Sequence, residues 1–225
     1  MQIKRIKQGN SMSEQLINNT IAYVKDVLAT DFSGHDYFHI MRVYKMATML
    51  AVKENADLQL VQLAALLHDV DDRKLSSETC ENKDRAVAFM QSQNLTEDVI
   101  DRVKEMIGEV SFMGTDSVTP KTLEGKCVQD ADRLDALGAM GIARAFAYGG
   151  NHNRVMYDPT IPPAMNMSKE EYQNHISTTV NHFYEKLFLL KDMMNTESAK
   201  AIAENRERYM REYIDEFMNE WEGLR

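Results

Sequence analysis

The sequence predicts an all-α protein, a single-domain helical bundle, and three observations carry that expectation. Apolar residues recur at intervals of three and four rather than two. Only four prolines and ten glycines interrupt the 225 residues. Three of those prolines fall in one stretch, Gly149–Ser168, so the rest of the chain is left to long uninterrupted helices.

The elements follow in order. Ser11 and Glu14 form a capping-box pattern before a helix over 14–30, with Ile17, Ile21, Val24 and Leu28 on one stripe. A second helix is expected over 36–54. A third covers 58–69 behind Asp57 as N-cap, a fourth 78–93, and a fifth 96–112 behind Thr96 with Val99, Val103, Met106 and Val110 inward. Thr119-Pro120 then opens a long central helix to Tyr148, closed by Gly149-Gly150. Small residues along it (Ala136, Gly138, Ala139, Gly141, Ala143) allow neighbouring helices to approach closely. The 149–168 stretch is long enough to serve as a lid, and equally suits a plain connector. A second capping box, Ser168 and Glu171, starts a seventh helix to Met194, and an amphipathic eighth spans 197–222 with the lone Trp221 near its end. Sixteen methionines at helical spacing read as core filler. Residues 1–12 read as a short leader or tag-like segment set apart from the 13–225 domain.

Composition narrows the function. A net charge of −9 argues against gripping a nucleic acid polymer, which calls for a basic face. The longest apolar runs, such as Leu63–Leu67, fall far short of the roughly 20 residues a spanning helix needs. Cys80 and Cys127 are not spaced as a thiolate zinc site or a disulfide framework, which fits a reducing cytoplasm.

Polar residues in apolar surroundings carry the chemistry. In "AALLHDVDDRKL" an apolar run leads directly into His68-Asp69, where an unpaired carboxylate would cost several kcal/mol. Adjacent helical positions point about 100° apart, so His68 and Asp69 share one ligand only beside the helix or where the helix loosens. Asp71 and Asp72 add negative charge in the next turn, a repulsion that a divalent cation relieves better than one lysine. "VQDADRLDALGA" supplies a second acidic cluster, in which Asp130 and Asp135 suit caps, ion pairs or solvent. His39, His68, Asp69 and Asp132 together offer two imidazoles and two carboxylates, a mixture suited to Mn, Fe, Co, Ni or Zn, whereas Mg prefers oxygen alone. Such a metal generates a hydroxide-like water near neutral pH and neutralises phosphoryl charge. Arg73 and Lys74 are local cations suited to a substrate's phosphates. His35, near the start of the second helix, suits a phosphate contact or support of a ligand, and Asp36 suits a cap or a partner for His35. His152 would close over substrate, while His175 and His182 read as structural.

The strings "HDYFHIMRV", "LLHDVDDRKL" and "DADRLDALGAMGIARAF", in this order, resemble the HD-domain superfamily of metal-dependent phosphohydrolases, in its small stand-alone bacterial form. The likeness covers nearly all of Met12–Trp221. It implies metal ligands at His39, His68, Asp69 and Asp132, and general acid/base work or water placement at Asp72, with Asp71 its rival. Lys74 resembles a recurrent family lysine. No histidine lies between His68 and His152, so the imidazoles of two-metal HD proteins are missing and one divalent ion, Mn favoured, is expected. The resemblance further implies a nucleotide pyrophosphohydrolase acting through a metal-activated water. The alternatives are a nucleotide-sensing HD module without turnover and a di-iron oxygenase-like HD enzyme. The amphipathic last helix allows a homodimer.

Overall fold

A computed structural model describes residues 2–29, 36–71 and 78–225, and among them the secondary structure is helical with no strand. The chain falls into two compact units: residues 1–110 with 120–128, and 111–119 with 129–225.

The first unit holds α1 (Gln2–Val27), α2 (Tyr37–Glu54), α3 (Leu58–Leu67), α4 (Asp84–Ser92), α5 (Glu97–Gly108) and the start of α6 (Leu123–Asp135). Asp57 caps α3 by accepting from the Gln59 and Leu60 amides. Because α3 is apolar on nearly every side, it has to be enclosed, and it packs against α1, α2 and α5. Leu63, Leu66 and Leu67 are fully buried, each contributing roughly 1.5–3 kcal/mol relative to exposure. α2 ends on Asn55, whose left-handed backbone (φ 58°) lets the Ala56 amide reach back to Ala51 O.

The second unit contains the end of α6, α7 (Gly138–Asn151), α8 (Lys169–Asn174), α9 (Thr179–Glu185), α10 (Glu197–Trp221) and two 3-10 turns, Gly114–Asp116 and Leu187–Met193. α10 packs on α7 and on the second 3-10 turn. Phe146 gathers Phe183, Tyr213 and Phe217 around it.

Several expected boundaries move. α1 starts at Gln2, since nothing in residues 2–13 forbids a helix and a capping-box pattern does not by itself end the preceding turn. α4 begins only at Asp84, after turns over 78–83. α5 turns Ile100 inward where Val99 was expected. α6 begins at Leu123, where the Thr122 hydroxyl accepts from the Gly125 amide. The expected long central helix is two helices: Leu137 is extended and Gly138 adopts φ +71°, which breaks the run between α6 and α7. The expected seventh helix is three pieces. α8 keeps the Ser168–Glu171 capping box but stops at Asn174. His175 turns extended, and the Thr178 hydroxyl starts α9 afresh by accepting from the Asn181 amide. The 152–168 segment is fastened to α9: Thr179 N donates to Val155 O, Val180 N to Met156 O, Asn181 Nδ2 to Ile161 O, and Ala164 N to Glu185 Oε1. His152 stacks on Tyr148, with its Nδ1 2.9 Å from the Tyr148 carbonyl. No described helix is long and apolar enough to cross a membrane.

Candidate metal centre

His39 enters the site from the first turn of α2. Asp36 caps that turn, its carboxylate accepting from the amide of His39 itself at 2.7 Å, so the cap fixes the backbone that carries the imidazole. Asp36 therefore takes the capping role expected for it.

His68 and Asp69 sit where α3 gives way to a turn. The helix ends at Leu67, His68 is its C-cap, and the Val70 amide reaches Leu67 O three residues back. This is the loosening that lets neighbouring side chains address one point. The ring of His68 is oriented by Ala65, whose carbonyl lies 2.9 Å from Nδ1. A carbonyl only accepts, so Nδ1 carries the proton and the Nε2 of a neutral ring presents its lone pair.

Asp69 Oδ2 lies 3.4 Å from His39 Nε2 and 3.4 Å from His68 Nε2, and the donor atoms of the three residues all fall within 4.8 Å of one another. His39 is fully buried, and His68 and Asp69 are 5% and 7% exposed. The Nε2 lone pair of His68 faces a carboxylate oxygen in a buried place, and the two repel unless positive charge stands between them. The spacing fits a cation: two bonds of about 2.1 Å at a tetrahedral angle separate their donor atoms by about 3.4 Å. The His-His-Asp group is positioned to hold a divalent metal.

The other expected residues are placed as follows. Asp71 is fully buried and its two oxygens accept from the Arg85 and Ala86 amides at 3.2 and 2.9 Å, which docks it on the first turn of α4. Asp132 lies half-buried on α6. Its acidic neighbours are occupied structurally. Asp130 accepts from both the amide and side chain of Asn195 and of Thr196, fixing the start of α10, and Asp135 pairs with Arg144 at 2.8 Å. Arg133 donates to the Met193 carbonyl. Burial lowers its guanidinium pKa against the opposing pull of Asp130 and Asp132. His35, Asp72, Arg73 and Lys74 lie outside the described residues. The Ala65 carbonyl that orients His68 had no signal in the sequence, because any residue supplies one.

A model of the HD domain matches residues 36–137, the span that contains all three residues of the cluster. An HD-superfamily hydrolase from Bacillus thuringiensis is 44% identical, with the alignment covering 93% of this chain and 98% of that one, at a TM-score of 0.74. The chain belongs to the HD superfamily. It is similar to a further solved structure from Lactobacillus plantarum, 40% identical over 93% of this chain and 98% of that one, with a TM-score of 0.84. Bacillus subtilis YpgQ, solved in complex with ADP, is 34% identical over 91% of this chain and 97% of its own, with a TM-score of 0.73. HD domains bind divalent metals, and the buried His-His-Asp group lies within the matched span, positioned to hold one.

Proposed function

We propose that this HD protein is a metal-dependent phosphohydrolase acting on a nucleotide, splitting a phosphate ester or anhydride by attack of water, and that nucleoside triphosphates cleaved to release pyrophosphate are its substrate class. The single observation that carries the reading is the convergence of His39, His68 and Asp69 on one buried point. The ADP complex of the relative YpgQ supports a nucleotide as the ligand.

Asp132 is taken as a fourth donor on the strength of the superfamily resemblance. With two imidazoles and two carboxylates the donor set favours Mn, Fe, Co, Ni or Zn over Mg, and we take Mn as the working ion. A bound divalent ion makes water more acidic and offsets negative charge on a phosphoryl oxygen. The chain's own residues do the rest. His68 is held in the Nε2 lone-pair tautomer by Ala65, and Asp69 contributes the negative charge that keeps a cation in place. The water oxygen bonds to phosphorus as the bond from phosphorus to the leaving oxygen breaks. The displaced proton passes to Asp72, which returns a proton to the leaving group. Arg73, Lys74 and His35 are assigned to the substrate's phosphates, where local cations serve an otherwise acidic chain.

The test is a panel of nucleotides and phosphate esters with Mn, Mg, Co, Ni and Zn, comparing the native chain with Asp69→Ala. Metal-dependent release of phosphate or pyrophosphate that disappears in the variant is expected. Turnover that survives Asp69→Ala removes the site from the mechanism. Binding of nucleotides without release of any product points instead to a sensing module.

A further inference from the structure

The second unit contains a cavity of about 210 Å³ with a composition unlike that of a packing defect. Phe112 and Tyr172 stand edge to face at one side, 5.2 Å between ring centres, with Met167, Leu189 and Met193 around them. Thr115, Ser117 and Asn166 also line it, and among the described residues its one charged lining residue is Glu185. That residue is buried, and three donors converge on the same oxygen, Oε1: the Ala164 amide at 3.0 Å, His175 Nε2 at 3.1 Å and the Ser177 hydroxyl at 2.8 Å. Oε2 takes none of these bonds, and the residue lines the cavity. The Ser117 hydroxyl, also in the lining, is already engaged, accepting from the Met113 amide and donating to Gly114 O. Lys186 Nζ lies 5.0 Å from the Phe112 ring centre and 5.8 Å from that of Tyr172, so a positive charge borders the aromatic wall.

We infer that this cavity is a recognition site for a purine base, stacked against the Phe112–Tyr172 wall and read by Glu185 Oε2, which accepts a hydrogen bond from an amino or imino N–H of the base. The volume is below the 300–1,000 Å³ of pockets for drug-sized ligands, which suits one bicyclic ring and no more. A carboxylate oxygen in a half-apolar recess rejects a ring edge that brings only lone pairs, since two acceptors would face each other without water. The acceptor is rigid because its partner oxygen is fixed by three bonds from two segments, Ala164 on one and His175 and Ser177 on the other. Lys186 supplies a cation for the charged end of a nucleotide. The ligand class rests on the nucleotide reading above, but the residues and the readout are independent of the metal centre.

The probes are adenosine and guanosine, which carry base N–H donors, and purine riboside, which has none, with binding read by saturation-transfer NMR titration of the metal-free chain. Adenosine or guanosine should bind at least tenfold more tightly than purine riboside. Glu185→Gln can keep its carbonyl oxygen on the three donors and turn an amide N–H into the cavity, so the preference should vanish or reverse while the far-ultraviolet circular dichroism is unchanged. Leu189→Trp, at a half-exposed position, should fill the cavity and weaken all three nucleosides, and it keeps the test decisive if Glu185→Gln misfolds. Equal binding of the three probes to the native chain, a preference untouched by Glu185→Gln, or binding unaffected by Leu189→Trp overturns the inference. Nucleotide hydrolysis without nucleoside binding sinks this site and spares the hydrolase reading, whereas nucleoside binding without hydrolysis does the opposite.

Discussion

Asp69 Oδ2, in the turn that follows α3, stands 3.4 Å from His39 Nε2 on α2, thirty residues earlier in the chain. That distance exceeds an ordinary N–H···O bond of about 2.7–3.2 Å and equals its distance from His68 Nε2, as expected for donors spaced around a cation. Removing the anionic member while keeping the shape separates the metal from the packing. Asp69→Asn should fold, lose the rise in melting temperature that Mn or Co gives the native chain, and lose at least 100-fold in turnover. Differential scanning calorimetry with and without metal checks the first two, and the nucleotide panel the third.

Asp71 tests whether a carboxylate two residues from the metal centre belongs to it. Its oxygens hold the Arg85 and Ala86 amides, so Asp71→Ala should destabilise the first unit by about 1–3 kcal/mol, the cost of leaving buried donors unsatisfied. Metal affinity per folded molecule, measured by titration calorimetry, should stay within a few-fold of the native value. A collapse of metal affinity without loss of stability would move Asp71 into the site.

The grouping of His39, His68 and Asp69 had local signals in the sequence, a polar pair at the end of an apolar helix and a histidine near a helix start, whereas Asp132 stands in the ligand set through the family resemblance. Helical geometry alone left two ways for His68 and Asp69 to share a ligand, beside the helix or where it loosens, and α3 ends at Leu67. What was not legible depends on partners far along the chain. Asp130 is an acid of no fixed role until Asn195 and Thr196, 65 and 66 residues later, arrive to donate to it. The cavity around Glu185 is assembled from the 112–117, 166–172 and 185–193 stretches, none of which carries a catalytic or ligand-binding motif. The helix breaks were missed for a different reason. Gly138 was read as room for a neighbour, and composition does not say whether a glycine is used for its small size or for its positive φ.

That glycine gives the next test. At φ +71° any L side chain is strained, and a β-carbon there would approach the Arg206 side chain to 3.1 Å. Gly138→Ala should lower stability by about 1–2 kcal/mol, more than the same change at Gly150, which has open space around it. Paired urea melts of the two variants make the comparison, and equal midpoints would mean that the corner between α6 and α7 relaxes freely.

Asp130 should be the costliest surface-remote polar residue of the second unit to truncate. Its two oxygens take four donors at 2.8–2.9 Å, and Asp130→Ala strands the first turn of α10 with buried amides unsatisfied. A loss of roughly 3 kcal/mol or more is expected, with Asp130→Asn intermediate because it keeps one acceptor. Hydrogen exchange should localise the added opening to residues 195–200, and uniform loosening across both units would contradict the assigned role.

The capping box of α8 predicts an acid-sensitive element. Glu171 is held below its ordinary value of 4.5 because its carboxylate accepts from the Ser168 amide. A depressed carboxylate stabilises the fold fully above its unfolded pKa, and that contribution is lost as pH falls through the lower folded value. Native chain and Glu171→Gln should therefore differ most in α8 protection at pH 6–7 and converge as the pH drops well below 4.5. The group is solvent-exposed, so the effect belongs to local opening of α8 rather than to global stability. Amide exchange of residues 169–174 across that range measures it, and a difference that grows toward acid would reverse the sign and refute the assignment.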